Sequence, residues 1–567
     1  MAHIYKKIKK GREYYYIRET QRIENRPATV NQVYLGSAEK LEAIFSGADQ
    51  KAREGYSPKE FGSVLVINEL DRAINLAAIV DEILPAKRRS KGPTLGGLLF
   101  YAALNRAIAP TSKRQLAAWY ETTDIQRIRP LRLASLNSQN FWNYWHRLEA
   151  AQLEKIITRF FHRVHVVLPA TEDYLLLLDL PPHSFPAIPG EKPGAGEPGN
   201  KLPEPGGMAL ILQGNTGVPI YYQDCPPDLT PAGFLDFHLD GLLEGTGARG
   251  TPVRNLTWVF RPGQASEEVI RKIDAREGLH FVAPFPVHFA PELARIKLES
   301  FRALPGAIRW QTVSVEGEGE PIRFYETGLT VWGRRRKALV IYDPQAYRQK
   351  TQELAEMGKK LRWKLRRFPP GHSPEDEPGM LETRYQQLCR ELHLDPELFK
   401  LRIRRENRVP VISLEVNEGK IAAQAQELAK TLLLTDQEDW PPEEIFQAYQ
   451  ASPLFGPERT AGQSLGVPAT MPQYHWTASK VRINTFVSLV ALTYLALLGE
   501  RLKSGGLLIS PQEAIQKMRA LKTAIYWLPQ EKKFRRVLKE PTAGQRAILE
   551  ALGFTVHEGV VLPLSSL

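Results

Sequence analysis

Asp179 is the carboxylate best placed to do chemistry, because it ends a continuous apolar stretch at residues 174–178. At a strand end it could bind a divalent cation, or simply accept hydrogen bonds in a turn. A second apolar stretch, residues 255–260, runs into a Pro-Gly turn with Arg261 at its end. A guanidinium cannot ligate Mg²⁺ and would repel it. Only one of the two strand ends therefore offers a metal ligand.

Other chemistry has little support in the sequence. It contains neither the phosphate-binding pattern GxxxxGK[ST] nor the zinc-protease pattern HExxH. The two cysteines, Cys225 and Cys389, lie far apart and form no CxxC pair, which argues against a disulfide framework or a thiolate zinc site. We therefore predict no small-molecule substrate and no cofactor, and two cysteines suit a reducing cytosol.

The charge balance favours a polyanionic partner. A formal net charge of +12 and a pI of about 9.4 are typical of proteins that bind nucleic acid, although many basic proteins bind none. The N-terminus lacks the apolar stretch of a signal peptide. The longest apolar run, residues 486–498, is shorter than the roughly 20 residues that cross a bilayer. We predict a buried core helix there, a cytoplasmic, nucleoid-associated protein, and no membrane partner.

Two segments in the first 170 residues carry candidate nucleic-acid contacts. Residues 4–35 alternate about a Gly11-Arg12 turn, which predicts a hairpin whose basic outer face is either a solubilising edge or a phosphate-contacting sheet. From residue 61 the apolar spacing becomes helical, which fits a helix-turn-helix-like DNA reader or a plain bundle with a basic surface. The candidate contacts are Lys6, Lys7, Lys9, Lys10, Arg12, Lys113 and Arg114.

From residue 171 onward, strands and helices alternate in a way that predicts an α/β sheet flanked by helices. Residues 291–430 interrupt this pattern with strand-like stretches and long charged helices. The sheet pattern resumes at residue 431. The tail from residue 506 predicts one or two amphipathic helices.

Several stretches, in this order and spacing, resemble the DDE transposases of bacterial insertion sequences. The resemblance covers roughly residues 10–555 and is carried by LNRAIAPTSKRQLAAWY, SQNFW, YLLLLD, WVFRPGQASEEVI, LHFVAPF, VWGRRRKALVIYDP, TDQEDWPPEEIFQAY and the apolar helix after Tyr474-His475-Trp476.

The resemblance implies an RNase H-like mixed sheet flanked by helices, with an inserted β-plus-helix subdomain before the third acidic residue. It also implies an N-terminal β-hairpin and helical DNA-binding region. The predicted divisions are 1–60 (β-hairpin region), 61–170 (helical, DNA-binding), 171–290 (core, first part), 291–430 (inserted mixed subdomain), 431–505 (core, second part) and 506–567 (helical tail).

Transposases of this family hold two Mg²⁺ ions on three carboxylates. The resemblance assigns the first position to Asp179, the second to Arg261 and the third, counted from Tyr449, to Gly456. Ser452 and Gln463 replace the accompanying Arg and Lys of the family signature, and Pro453 and Pro457 would each break the helix that carries it. Displaced carboxylates that could substitute are Glu458, Glu267 and Glu268.

The leading interpretation is a transposase-derived protein that binds double-stranded DNA and has lost DNA cleavage and strand transfer. Three alternatives stay open: a decayed gene product, an active Mg²⁺-dependent transposase that uses displaced carboxylates, and a non-catalytic protein-interaction scaffold. Mg²⁺ is expected only if activity is retained, and a homodimer is compatible with the sequence.

Overall fold

The computed structural model describes most of the chain outside several loops and the termini. The described residues are 2–9, 11–23, 26–49, 54–85, 93–169, 171–179, 207–214, 216–226, 229–247, 253–304, 320–367, 377–406, 409–451, 478–557 and 560–563.

The strands are β1 (Ala2–Lys9), β2 (Arg12–Ile23), β3 (Arg26–Gly36), β4 (Tyr56–Glu60), β5 (Asp173–Asp179), β6 (Gly207–Gln213), β7 (Pro219–Cys225), β8 (Asn255–Val259), β9 (Leu279–Pro286), β10 (Arg302–Ala303), β11 (Arg323–Val331), β12 (Arg334–Tyr342), β13 (Phe399–Glu406), β14 (Val409–Val416), β15 (Lys430–Thr435), β16 (Lys522–Leu528), β17 (Lys533–Leu538), β18 (Phe554–His557) and β19 (Val560–Pro563).

The helices are α1 (Ala38–Phe45), α2 (Gly62–Ile74), α3 (Leu76–Ile83), α4 (Leu95–Ile108), α5 (Leu116–Glu121), α6 (Ile125–Ile128), α7 (Ser138–His146), α8 (Ala150–Val167), α9 (Pro231–Phe237), α10 (Leu239–Gly247), α11 (Glu267–Asp274), α12 (Pro291–Ala294), α13 (Pro344–Arg366), α14 (Glu377–Glu391), α15 (Glu418–Leu428), α16 (Pro442–Ala451), α17 (Ala478–Ser504), α18 (Pro511–Arg519) and α19 (Ala543–Ala551).

A mixed sheet organises the molecule. Within the described residues it has nine strands in the order β10-β11-β12-β15-β9-β8-β5-β6-β7. The central strands β5, β8 and β9 are parallel, whereas their neighbours on both sides run antiparallel. Both faces of β5 are covered, which explains why its leucines form an unbroken apolar run rather than alternating with polar residues.

Helices cover both faces of this sheet. Leu175 and Leu177 pack with the helices of residues 62–167 and with α17, in the largest hydrophobic core. Leu176 and Leu178 point to the other face and pack with α9, α10 and α11. The mixed α/β architecture predicted from the sequence, a large mixed sheet flanked by helices, is therefore present.

Helix α17 contains the longest apolar run. Its segment Lys480–Ser504 is long and apolar enough to span a membrane by length and composition alone, yet 89% of its most apolar window is buried inside the protein. Phe486 and Tyr494 are completely buried in the largest core. The predicted core helix is thus found at this position.

The segment predicted as an insertion is divided between two cores. Strands β11 and β12 join the nine-stranded sheet through β15. Helices α13, α14 and α15 instead pack with the β13–β14 hairpin around a small core of their own, which includes Leu361, Leu388 and Phe399. Only the second part is therefore a separately packed unit.

The two ends of the chain pack together. The predicted hairpin about Gly11 is confirmed: β1 pairs with β2, and a third strand, β3, extends the sheet. Strand β4 pairs with β16 of the tail, which in turn pairs with β17. Ile17 and Leu35 of the first sheet pack against Ile525 and Phe534 of the tail. The tail thus contains strands that its sequence pattern did not predict, besides helices α18 and α19.

Candidate functional site

Asp179 ends β5 and Arg261 follows the end of β8, the neighbouring parallel strand, so both lie at the same edge of the central sheet. Strands β5 and β8 pair in parallel from Asp173 opposite Asn255 to Leu177 opposite Val259. The pairing ends there, and Asp179 and Arg261 each come two residues later on their own segment, so the two positions correspond at this edge of the sheet. The position that the resemblance assigns to the second carboxylate thus lies at the same sheet edge as the first and is occupied by an arginine.

The turn after β8 fixes Arg261 at this edge. The backbone N–H of Phe260 still donates to the carbonyl of Val282 in β9 (2.9 Å). The backbone N–H of Arg261 donates to the side-chain oxygen of Gln264 (3.1 Å), whose amide nitrogen donates to the carbonyl of Leu178 (3.4 Å). Gln264 therefore ties the turn to the residue that precedes Asp179, and Arg261 itself is partly buried.

The two glutamates that begin the helix after Arg261 form ion pairs at the surface. Glu267 and Glu268 begin α11, whose first turn is capped by the hydroxyl of Ser266. Arg271 contacts Glu267 at 2.5 Å, and Lys272 contacts Glu268 at 3.3 Å. Both glutamates are exposed, so each lies on the outside of its helix, paired with a cation one turn later.

The third predicted position lies outside the described residues. Helix α16 contains Tyr449 and ends at Ala451. Gly456 and the displaced carboxylate Glu458 both fall in the segment 452–477, which the structure does not describe. No group of three or more His, Cys, Asp or Glu that could hold a metal ion occurs among the residues the structure does describe.

A cluster at the same end of the sheet was missed by sequence reasoning. Asp179 pairs with Met208 of β6, which pairs with Asp224 of β7, so both aspartates occupy the same edge. Arg482 of α17 donates to Asp224 (2.9 Å) and also to Glu154 of α8. These residues are distant in the sequence, and no motif links them.

Arg482 determines the electrostatics of this cluster. Burial raises the pKa of Asp224, and the adjacent Arg482 guanidinium opposes that rise. The pKa of Arg482 is itself raised, because the two carboxylates outweigh the effect of its burial. Asp224 and Glu154 are thus both paired with the same guanidinium.

The basic residues of the first hairpin do not share one face. Lys7 pairs with Tyr14 and Lys9 with Arg12, which places Lys7, Lys9 and Arg12 on the same face of the sheet. Lys6 points to the opposite face, where its ammonium lies 2.7 Å from Glu13. The single outer face predicted for these residues is therefore corrected, because side chains alternate along a strand. Lys10 lies outside the described residues.

Lys113 and Arg114 differ sharply in environment. The Lys113 ammonium lies 4.4 Å from the centre of the Trp145 ring. Burial, together with the charge of Arg106, lowers the pKa of Lys113 to about 7. Arg114, the next residue, is exposed. Of the two, only Arg114 has the setting of a phosphate contact.

Of the comparisons with known proteins, the one with solved structures gave a match, and those with family models and curated proteins did not. No protein-family model and no curated protein matches this sequence. Among solved structures, the chain is similar to a cryo-EM structure of a piggyBac transposase synaptic complex with hairpin DNA, with 10% sequence identity and a TM-score of 0.28. The match covers 83% of this chain and 81% of that chain. At that score no conclusion is drawn from it about fold or function.

Proposed function

We propose that this protein is a DNA-binding, transposase-derived protein that has lost DNA cleavage and strand transfer. The observation that carries the proposal is the parallel pairing of β5 with β8, which brings Asp179 and Arg261 to the same edge of the sheet. Two-metal phosphoryl transfer needs carboxylate oxygens converging on the ions. A guanidinium at that place opposes metal binding and favours a phosphate oxygen instead.

The strand order supports the RNase H-like core that the sequence resemblance implies. Counting from β5, the strands β7-β6-β5-β8-β9 lie in the spatial order third, second, first, fourth, fifth. The first three are antiparallel neighbours, and the last two run parallel to the first. Asp179 ends the central strand of this group, which is where ligands commonly bind in open sheets of this type.

The charge of the chain supports DNA as the partner. The net charge is +12, and exposed cations occur on the first sheet and at Arg114. We include double-stranded DNA, a location at the nucleoid and a homodimeric state in the proposal. The scaffold alternative differs from it because a scaffold needs no salt-sensitive affinity for DNA.

A cleavage assay tests the loss of activity. The full chain is incubated with supercoiled plasmid and Mg²⁺ or Mn²⁺, and nicking is followed on gels. We expect no nicking, and Arg261→Asp is expected to restore none, because the third acidic position is also lost. Metal-dependent nicking that disappears in Asp179→Ala would refute the proposal.

A binding assay tests the partner. Anisotropy of a labelled duplex is measured across a salt series. The logarithm of the affinity should fall with the logarithm of salt concentration, with a slope of about −0.9 for each phosphate contacted. An affinity that is undetectable at low salt would remove DNA binding and leave the scaffold alternative.

A further inference from the structure

One face of the first sheet carries four tyrosines. Tyr5 pairs with Tyr16, and Tyr16 pairs with Tyr34 across β1, β2 and β3. Tyr14 lies two residues from Tyr16 on the same strand and therefore on the same face. We call this surface the tyrosine face; it consists of Tyr5, Tyr14, Tyr16 and Tyr34 with the cations Lys7, Lys9, Arg12 and Arg18.

The rings form a connected and partly exposed group. The Tyr34 ring lies 5.2 Å from that of Tyr16 and 6.1 Å from that of Tyr14, both tilted. The Arg18 guanidinium lies over the Tyr5 ring at 3.6 Å. Tyr34 is 55% exposed, although an aromatic ring gains by burial. The exposed Tyr34 ring, in contact with two half-buried rings, gives this face an apolar surface that a partner could cover.

Among the described strand residues of the tyrosine face, the charged side chains are all positive. The nearby carboxylates, Glu13 and Glu19, occupy alternate positions of β2 and so belong to the opposite face. There Glu13 pairs with Lys6 and Glu19 with Arg536. The charge of Lys7, Lys9 and Arg12 is therefore not compensated on their own face, which makes the surface complementary to a polyanion.

Much of the opposite face of this sheet is packed against the rest of the protein. Ile17 and Leu35 pack there with Leu41 and Ile44 of α1, and with Phe534 of the tail. The sheet is thus held against the rest of the protein by one face and presents the tyrosine face outward. A sheet fixed in this way can offer its side chains without reorganisation.

We propose that the tyrosine face binds single-stranded DNA, with bases stacked on the tyrosines and phosphates on Lys7, Lys9 and Arg12. Unpaired bases offer ring faces to aromatic side chains, whereas the bases of a duplex are already stacked on one another. A group of partly exposed rings flanked by cations therefore suits a single strand better than a duplex. This inference rests on the proposed function, because it names a form of DNA for one surface of a DNA-binding protein.

The experiment compares ring removal with ring retention in the full chain. Anisotropy is measured with a labelled oligothymidylate of about 15 nucleotides and, separately, with a duplex. Tyr34→Ala is expected to weaken the single-strand affinity about tenfold, the loss of one stacked base, whereas Tyr34→Phe keeps the ring and the affinity. Duplex affinity should change less than twofold or so in both variants.

Lysines on the two faces provide a matched control. Lys7→Gln should weaken binding to the single strand, whereas Lys6→Gln, one residue away on the opposite face, should not. Circular dichroism and thermal unfolding of each variant establish that the sheet remains folded.

The outcomes separate the two proposals. Unchanged single-strand affinity in Tyr34→Ala, with duplex binding intact, overturns the tyrosine-face inference alone. If an oligouridylate binds more tightly than the oligothymidylate, the partner is RNA, and the tyrosine-face inference is also overturned. Failure of the wild-type chain to bind either form of DNA overturns the proposed function itself.

Discussion

Glu19 of the first sheet and Arg536 of the tail form an ion pair across 517 positions of sequence, with Arg536 Nη2 2.8 Å from Glu19 Oε2. The two side chains are only 13% and 7% exposed. Arg536 also donates to the carbonyl of Ser57 (2.9 Å), and Asn31 donates to Glu19 (2.7 Å). The pair therefore anchors the sheet that carries the tyrosine face.

Breaking this pair should loosen the anchored sheet. Arg536→Ala leaves the Glu19 carboxylate nearly buried without its cation, which should cost about 3 kcal/mol in unfolding free energy. Arg535→Ala is the control, because the ion pair of Arg535 with Glu531 at 3.5 Å is exposed and is worth about 0.5 kcal/mol or less. Urea denaturation measures both, and equal losses would contradict the anchoring role.

The same pair predicts an acid-sensitive contribution to stability. Burial would raise the pKa of Glu19, but the hydrogen bond and charge of Arg536 outweigh it and lower the pKa below its ordinary value of 4.5. The contribution is therefore present above pH 4.5 and is lost as the pH falls through the lowered pKa. The stability difference between wild type and Glu19→Gln should shrink on acidification, and a constant difference would be inconsistent with this pairing.

Asp71 joins three helical segments to the core. Its carboxylate, fully buried, accepts from Arg129 (2.7 Å), from the Tyr494 hydroxyl (2.6 Å) and from the backbone of Leu76 (3.0 Å). Asp71→Ala should destabilise the protein by about 3 kcal/mol or more, because Arg129 loses its carboxylate partner and keeps only neutral ones such as Asn68. Tyr494→Phe removes one hydrogen bond and should cost about 1 kcal/mol.

Chemical denaturation distinguishes these changes from a surface effect. Arg72 follows Asp71 on the same helix and pairs with Glu69, with its own side chain exposed and that of Glu69 partly buried. Arg72→Gln should therefore change stability by no more than about 0.5 kcal/mol. If Asp71→Ala cost no more than this control, the network would not support the helical core.

Elements set by local physics could be predicted from the sequence. The first hairpin follows from alternation about Gly11, which adopts a φ of +74° that suits glycine. The turn after β8 was predicted from Pro262-Gly263, and Gly263 likewise has a positive φ of +81°. In both cases a few neighbouring residues determine the backbone, so a local pattern is sufficient.

Contacts between distant segments could not be predicted in this way. Strand β16 pairs on one side with β17, which is close in the chain, but its pairing on the other side is with β4, which is far away. Arg482 meets Asp224 and Glu154 only after α17 packs on the central sheet. The resemblance assigns Arg261 to the place of a carboxylate, and that assignment stays a prediction, whereas the second guanidinium at this edge depends on tertiary packing.

His280 and Asp436 should make stability depend on pH near neutrality. His280 Nδ1 lies 2.9 Å from Asp436 Oδ2. That hydrogen bond raises the pKa of His280 against the opposing effect of burial, and the charges of Asp436 and Asp173 add to the rise. The stabilisation is fully present below the unfolded value of 6.5 and is lost as the pH rises through the raised pKa.

Unfolding free energies measured from pH 5 to 9 test this sign. The loss caused by His280→Gln should be largest at the acidic end and should diminish above pH 6.5. Asp436→Asn should flatten the dependence in the wild-type background, because the principal cause of the raised pKa is gone. A loss that grows with pH would contradict the assignment.

Lys113 and Arg114 allow structural and DNA-binding roles to be separated at adjacent positions. The pKa of Lys113 is lowered to about 7 from an ordinary 10.5, first by burial and then by the charge of Arg106. Between these values the unfolded chain binds more protons, so wild-type stability should rise with pH. Lys113→Met should remove this increase of stability with pH. The variant should be more stable than the wild type by the largest amount at pH 7 and below, and the difference in unfolding free energy should disappear toward pH 10.5.

The affinity for DNA should depend on Arg114 and not on Lys113, the reverse of the pH dependence of stability. Arg114 is exposed, so Arg114→Gln should weaken duplex affinity and reduce the salt slope by about 0.9 for one lost phosphate contact. Lys113→Met should leave both unchanged, because its ammonium is stacked on Trp145. A different outcome would contradict this assignment: Lys113→Met reduces the salt slope as Arg114→Gln does and leaves the pH dependence of stability unchanged. Lys113 would then be a phosphate contact in the complex with DNA.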